Sequence, residues 1–196
     1  MEKPENDTLK KEIRTLMRRR QAEFLACAGA DRAESESLWK KLESQPQFRQ
    51  SHCILIYMAM PGEPLTDEFI SRWNGEKRFA IPLTICGDAA AGIDRSLELR
   101  EYNPAFLRSG YKGILEPSEE APLILPDEID LAVIPGIAFA RLEDGRYARL
   151  GHGGGYYDRL LPGLHCPLVG AGYSFRLVDF LPTEQWDMPL DTVLLG

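Results

Sequence analysis

The chain of 196 residues carries a net charge of −7 and 44% hydrophobic residues, which provides enough apolar material for the core of one ordinary domain. The acidic balance argues against nonspecific binding to nucleic acid or to a bilayer, because phosphate-rich surfaces repel it. Four cysteines without a Cys-x-x-Cys pair, a polar N-terminus and the lack of a long apolar run predict a cytoplasmic protein of one domain, 1–196, without a disulfide framework.

Helices are predicted in the first part of the chain. Residues 1–7 are expected to be frayed, and the first helix is predicted from Thr8 with Asp7 as its N-cap. A basic stripe at four-residue spacing begins with Lys10 and Arg14. The stripe is either a solvated face or a cationic surface for a polyanionic ligand, and composition leaves both open. A second helix is predicted over 34–42.

The first predicted strand is the apolar run 53–58, which is typical of a strand buried on both faces of a parallel sheet. A Pro-Gly turn with Glu63 follows it, and then a helix that Thr66 is expected to cap. Glu63 therefore lies just beyond the carboxyl end of a strand, where open α/β sheets bind ligands. An ordinary exposed turn glutamate is the alternative interpretation.

Further elements alternate along the chain. Pro82 falls inside one predicted strand and indicates an edge or a bulge there. A small-residue loop is expected at 89–93, an irregular connection at 103–128 and a short helix at 175–181. The pattern indicates an α/β fold with a largely parallel sheet. The further predicted strands are 78–85, 96–102, 131–134, 168–173 and 192–195.

A glycine-rich loop is the sharpest chemical signal. After the strand at 131–134, an arginine-bearing loop is expected to lead into GHGGG at 151–155 and a short helix near Tyr156. Consecutive glycines let the backbone approach a ligand, and the N–H groups of a helix start suit a phosphate. The loop matches neither the P-loop nor the dinucleotide fingerprint. A tight connection that merely needs glycine is the alternative.

Charged residues beside this loop suggest a nucleotide with a metal. Arg149 and Arg159 flank the loop, and Asp158 lies within one helical turn of it. Such a set points to ATP with Mg²⁺, since phosphoryl transfer depends on positioning and charge neutralisation. Alternatively, Asp158 is a negative charge in the first turn of a helix, where it stabilises the helix dipole. His152 either donates to a phosphate or faces solvent.

Two residue pairs leave their own alternatives. Asp187 and Asp191 are either near a metal or cap turns. Tyr156 and Tyr157 either stack on a flat ring or simply pack. No serine–histidine–acid or cysteine–histidine set has a setting that would indicate a nucleophile.

Several motifs, taken together, closely resemble the 5-formyltetrahydrofolate cyclo-ligase (5,10-methenyltetrahydrofolate synthetase) family across nearly the whole chain. The most specific is RLGHGGGYYD at 149–158, preceded by IPGIAF at 134–139. Lys10 and Arg14 match the opening Lys-x-x-x-Arg of the family. The remaining matches are Met58, Glu63 and Thr66 around the first turn, Gly-Ile-Leu-Glu-Pro at 113–117, and the closing Asp-x-x-x-Asp at 187–191.

The resemblance implies a three-layer α/β/α fold of the NagB/RpiA/CoA-transferase type and an enzyme that uses ATP and Mg²⁺. It implies that ATP phosphorylates the formyl oxygen of 5-formyltetrahydrofolate, after which N10 closes the ring to 5,10-methenyltetrahydrofolate. The reaction centre would hold Glu63, Arg149 and Tyr156. ATP would contact Lys10, Arg14, Arg149, Leu150, Gly151, His152, Gly153, Gly154, Gly155, Tyr156 and Tyr157. The folate would contact Met58, Glu63, His152, Gly153, Gly154, Gly155 and Tyr156, and Mg²⁺ would bind Asp158 and Asp187.

Several positions depart from the family pattern. Ala140 stands where the family usually has Asp, the loop 141–148 is longer than usual, Arg176 replaces a frequent Gln, and Trp186 precedes Asp187. These departures concern substrate contacts. The expected partners are ATP and the folate, with or without a polyglutamate tail, and the expected state is a monomer. The alternatives are a catalytically silent folate- or nucleotide-binding relative and another enzyme of the same fold, which would need no ATP.

Overall fold

The computed structural model describes residues 3–87, 96–110 and 113–196, and for residues 3 and 4 it describes the backbone. The predicted loop at 89–93 lies outside the described residues. The described helices are α1 (Lys3–Leu25), α2 (Ala30–Ser44), α3 (Pro46–Gln50), α4 (Asp67–Trp73) and α5 (Tyr156–Leu160). The described strands are β1 (Cys53–Leu55), β2 (Arg78–Ile85), β3 (Ser96–Glu101), β4 (Leu107–Ser109), β5 (Leu115–Pro117), β6 (Leu123–Ile124), β7 (Leu131–Pro135), β8 (Ala138–Arg141), β9 (Tyr147–Leu150), β10 (Leu168–Gly172) and β11 (Thr192–Leu195).

The main sheet has the strand order β11-β10-β7-β1-β2-β3-β6. The five strands from β11 to β2 run parallel, and β3 and β6 add antiparallel pairs at one edge. This confirms the largely parallel α/β sheet. Pro82 lies beyond Ala80, the last β2 residue in register with β1. Its missing N–H therefore breaks no hydrogen bond to that strand.

The sheet is covered on both faces, which confirms the three-layer arrangement. Side chains of α2, α3 and α4 pack with Ile54 and Phe79 on one face. On the other face, Leu55 packs with Phe139 of β8 and with Leu161, which follows α5. The hairpin β8–β9 stands outside the main sheet, and α1 packs on it through Met17. Among the described helices, none is long and apolar enough to cross a membrane.

The N-terminal predictions need correction. The first helix already begins at Lys3, and Glu5 places a stabilising negative charge in its first turn. Asp7 is thus inside the helix and is not its cap. The hydroxyl of Thr66 lies at the N-cap position of α4 but accepts a hydrogen bond from the Ala59 amide instead, at 3.3 Å.

Element lengths also differ from the predictions. The second helix runs from residue 30 to 44 and ends where Gln45 precedes Pro46, since a residue before proline disfavours the helical region. The first strand ends at Leu55, three residues earlier than predicted, and the buried chain from 56 to 58 continues to the site.

Two segments predicted as irregular contain short strands. The arginine-bearing loop is the hairpin β8–β9, and the connection 103–128 contains β4, β5 and β6. The helix predicted over 175–181 is wrong: a single 3-10 turn ends at Arg176. Beyond it the chain is extended because the Val178 amide donates to the Phe139 carbonyl of β8.

Candidate functional site

A cleft of about 240 Å³ opens where β7, β1 and β2 end. It joins Glu63 to the glycine-rich loop 151–155, so the prediction that these two elements share one cleft is confirmed. The other predicted site residues that line it are Lys10, Arg14, Met58, Arg149, Leu150, Tyr156, Tyr157, Asp158 and Asp187.

Lys10 reaches the cleft from α1 and pairs with two carboxylates from the end of the chain. Its Nζ lies 2.9 Å from Asp187 Oδ2 and 3.0 Å from Glu184 Oε2. Burial opposes the charge of Lys10, but the hydrogen bonds and charges of Asp187 and Glu184 outweigh burial and raise the Lys10 pKa. Asp187 Oδ2 also accepts the Glu184 amide at 2.9 Å. It therefore caps its turn and holds Lys10.

Arg14 lies one helical turn further along α1 and holds the glycine-rich loop. Its Nε donates to the Gly151 carbonyl at 3.0 Å. Burial, followed by repulsion from the charge of Arg18, lowers the Arg14 pKa from its ordinary value. Arg18 itself is exposed. The basic stripe is thus divided: its first two members line the cleft and the third is solvated.

The loop backbone needs glycine at two positions. Gly153 and Gly155 have φ values of 98° and 66°, in the left-handed region that other residues rarely adopt. Arg159 Nη2 donates to the Gly154 carbonyl at 3.0 Å. Together with Arg14, it holds two carbonyl groups of the loop by hydrogen bonds. The loop therefore combines close backbone approach with cations on both sides.

Arg149 and Asp158 form an ion pair at the bottom of this loop. Arg149 Nη2 lies 2.7 Å from Asp158 Oδ1, and the two side chains are 4% and 33% exposed. The guanidinium also lies over the Tyr157 ring, 5.3 Å from its centroid. Burial, followed by the charge of Glu63, raises the Tyr157 pKa. Its hydroxyl is therefore neutral at physiological pH.

Glu63 is buried, which contradicts the alternative of an exposed turn glutamate. Its side chain is 7% exposed. Oε2 accepts the Met60 amide at 2.9 Å, while Oε1 lies 3.4 Å from Nε2 of His152. The imidazole is 51% exposed, so His152 faces both solvent and the carboxylate. One oxygen of Glu63 is thus fixed by the backbone and the other points to the loop.

Arg176 supports the Glu63 turn and was predicted only as a departure from the family pattern. Its guanidinium donates to the carbonyls of Ile137 and Gly62 at 3.0 and 2.6 Å and to Gln21 Oε1 at 2.8 Å. Burial lowers its pKa to about 10, partly offset by the charge of Glu63. The residue therefore links α1, the start of β8 and the turn.

Some lining residues were missed by sequence reasoning: Tyr57, Met60, Pro82, Thr84, Leu97, Ile114, Leu115 and Glu116. Tyr57 and Met60 flank the predicted Met58–Glu63 segment, and proximity in sequence could have indicated them. Glu116 lay in a matched motif without a role. Thr84 has no local signal, because its place depends on long-range pairing of β2 and β3.

Asp158 and Asp187 both line the cleft, and each already binds a cation of the protein. Within the described residues, no group of three or more His, Cys, Asp or Glu could hold a metal. Magnesium on a nucleotide takes only one or two protein carboxylates and completes its shell with phosphate oxygens and water. The two aspartates fit that requirement. Asp191 instead accepts the Leu168 amide at 2.8 Å, a structural contact.

Comparison with known proteins gives a family match. The model of the 5-formyltetrahydrofolate cyclo-ligase family matches residues 6–196. The chain is 30% identical to the 5-formyltetrahydrofolate cyclo-ligase of Haemophilus influenzae over 196 residues, covering 97% of this chain and 100% of the relative. It is also 30% identical to the enzyme of that name from Escherichia coli K12 over 160 residues, which cover 79% and 83% of the two chains.

Solved structures agree with these matches. The NMR structure of 5,10-methenyltetrahydrofolate synthetase from Aquifex aeolicus superposes with a TM-score of 0.78 at 31% identity, over 95% of this chain and 89% of the other. A 5,10-methenyltetrahydrofolate synthetase from Mycoplasma pneumoniae gives a TM-score of 0.70 at 23% identity, over 94% and 97%. The second likeness bears on the fold alone.

Proposed function

The chain belongs to the 5-formyltetrahydrofolate cyclo-ligase family, as a ligase that closes 5-formyltetrahydrofolate to 5,10-methenyltetrahydrofolate, and we propose how its cleft couples this step to ATP and Mg²⁺. In the proposed sequence, the formyl oxygen attacks the γ-phosphorus and ADP leaves. N10 then attacks the formyl carbon and loses its proton, and phosphate leaves with the formyl oxygen. The observation that carries this assignment is the single cleft shared by a buried carboxylate and a cationic glycine loop.

The phosphate groups of ATP are assigned to the α1 side of the cleft. Lys10 and Arg14 supply positive charge there, and the loop 151–155 supplies backbone that can approach closely. Arg149, nearly completely buried, adds a fixed guanidinium. Phosphoryl transfer needs positioning and charge stabilisation more than a protein nucleophile. This set of residues meets that need, with Leu150 and Tyr157 packing against the nucleotide.

Glu63 is assigned to the folate at the reacting centre. Its Oε2 is held by the Met60 amide, which leaves Oε1 as an acceptor for the proton of N10. Met58 and Tyr156 line the same cleft and offer apolar faces to a flat ring. His152, beside Oε1, can donate to the phosphate or to the carboxylate. General-base assistance of this kind contributes about 10²–10⁴-fold to a rate.

Magnesium is assigned to Asp158 and Asp187, which would hold it together with nucleotide oxygens. Bound there, the ion neutralises charge on the transferred phosphoryl group. Both aspartates are already paired, with Arg149 and Lys10. Lys10 and Arg149 hold the two carboxylates in place and would be available to phosphate oxygens if the carboxylates turned to the ion.

The test measures absorbance of the methenyl product after mixing protein, 5-formyltetrahydrofolate, ATP and Mg²⁺, with ATP or Mg²⁺ omitted in turn. A rise that requires both supports the proposal. Glu63→Gln should lower kcat about 100-fold or more, whereas Glu76→Gln, the same change at an exposed position, should leave it unchanged. Folate binding without product would favour a silent relative. Turnover without ATP would favour another enzyme of this fold.

The proposal extends to the working form of the protein, a monomer with one domain over 1–196, in the cytoplasm. All four cysteines are free thiols. Reduced cysteines are typical of cytoplasmic proteins. Light scattering of the active sample tests the monomer. Comparing KM for mono- and polyglutamated 5-formyltetrahydrofolate tests whether a longer tail is accepted.

A further inference from the structure

Glu116 is a buried carboxylate in the cleft that the steps above do not use. It belongs to β5, is 9% exposed and lines the cleft. Its Oε1 accepts a hydrogen bond from the Thr84 hydroxyl on β2. A Cβ on Gly110 would lie 2.0 Å from its Oε2, so the carboxylate packs directly against a glycine backbone. These contacts hold the group in one orientation.

The strand order separates Glu116 from the cationic loop. Pro135 at the end of β7 contacts Arg149, with Nη1 3.4 Å from its carbonyl. Met58 follows β1, the next strand in the sheet, and Thr84 lies on β2, the strand after that. Since neighbouring strands are about 4.8 Å apart, the Thr84–Glu116 pair lies about 10 Å across the sheet edge from β7. Met58 therefore lies between the two sides, and Glu63 lies beside His152 of the glycine-rich loop.

The walls beside Glu116 are mainly apolar. Pro82 and Leu97 come from β2 and β3, and Ile114 and Leu115 precede Glu116. A flat heterocycle could pack against these apolar walls and donate hydrogen bonds to the Glu116 carboxylate beside them. Ligand pockets typically combine such walls with a few placed polar groups that fix orientation.

We propose that Glu116 is a specificity-determining residue that binds the 2-amino-4-oxopyrimidine edge of the folate. The inference rests on the proposed function. An ionised carboxylate only accepts hydrogen bonds, and this edge of the reduced pterin presents two adjacent donors, the 2-amino group and N3–H. The formyl group is on the other ring of the pterin, so an edge held at Glu116 directs N5 towards Glu63 and the glycine loop.

The experiment compares 5-formyltetrahydrofolate with an analogue in which methyl replaces the 2-amino group. Wild type should prefer the natural substrate by about 10- to 100-fold in kcat/KM, because the analogue loses one charge-assisted hydrogen bond and the free energy of such a bond corresponds to that ratio. Glu116→Gln places a donor against the 2-amino group, so the preference should fall below about 3-fold with KM for ATP unchanged. Glu119→Gln, an exposed glutamate in the same connection, should keep the wild-type preference.

Retention of the wild-type preference in Glu116→Gln would overturn the inference. Glu116 would then have only a structural role, the hydrogen bond that links β5 to β2. If that variant fails to fold, Glu116→Asp keeps the charge but shortens its reach, and its preference should fall between the two values. Calorimetric binding of both ligands without ATP gives the same comparison. A wild type that shows the binding preference but forms no product would contradict the proposed function and support the role of Glu116.

Discussion

Replacing Arg176 by leucine tests whether the turn that carries Glu63 depends on one buried cation. The guanidinium is the donor to two buried carbonyls, those of Ile137 and Gly62. Leucine fills part of the volume but donates nothing. A buried acceptor left without a partner costs about 1–3 kcal/mol, so the two carbonyls together predict a loss of about 2–6 kcal/mol in the free energy of unfolding.

Urea-induced unfolding, followed by fluorescence, measures that loss. Arg20→Leu is the matched control, because its exposed guanidinium also donates to a carbonyl, that of Phe175 at 3.5 Å. Its cost should stay within about 0.5 kcal/mol. Arg176→Leu should also lower kcat, because the turn holding Glu63 loses an anchor. A loss below about 1 kcal/mol with unchanged kcat would refute the role assigned to Arg176.

Three further predictions concern the phosphate side of the cleft. Asp158→Asn should cut ATP-dependent turnover by about 100-fold. It should lower the free energy of unfolding by no more than about 1–2 kcal/mol, because the amide oxygen still accepts a hydrogen bond from Arg149. Equal losses of kcat and of stability in thermal melting would make Asp158 purely structural. Lys10→Met should destabilise the protein below pH 10.5, the ordinary pKa of lysine, because a raised folded-state pKa stabilises only while the group is charged. The difference from wild type should disappear as pH rises through the folded-state pKa, and a difference in urea unfolding that is independent of pH would contradict this. Gly155→Ala, at φ 66°, should cost about 1–2 kcal/mol and raise KM for ATP, with Gly163→Ala, where φ is not positive and a Cβ has free space, as control.

The sequence pattern predicts the bounds of two strands of the main sheet. The strands 78–85 and 192–195 have the predicted boundaries, because apolar residues there are long, continuous and bounded by polar ones. Hydrophobic periodicity and strand propensity depend on residues close together in sequence. The direction in which β3 pairs depends on distant ones. Nothing in residues 96–101 distinguishes an antiparallel neighbour from a parallel one, since pairing is chosen by contacts with residues far along the chain.

The hairpin β8–β9 has a local sequence signal at its turn. Asp144-Gly145 is a hairpin dipeptide, and Gly145 has a φ of 88°. Its strands are only four residues long, which is why alternation is hard to detect. For the site, Glu63 and the glycine loop could be predicted from strand ends. Arg176 and Glu116 could not, because a charged residue gives no local indication that it will be buried.

The contact between Lys10 and Asp187 joins positions 177 residues apart. Ribosomes add about 5–20 residues per second, so roughly 10–35 s separate the synthesis of these two partners. During that interval α1 exists without the carboxylates that will hold its lysine. The nucleotide side of the cleft is therefore completed only by residues that are made long after α1. A chain that ends before Glu184 would keep most strands of the sheet and lack the ion pairs that position Lys10. Activity is thereby coupled to synthesis of the segment that holds Glu184 and Asp187.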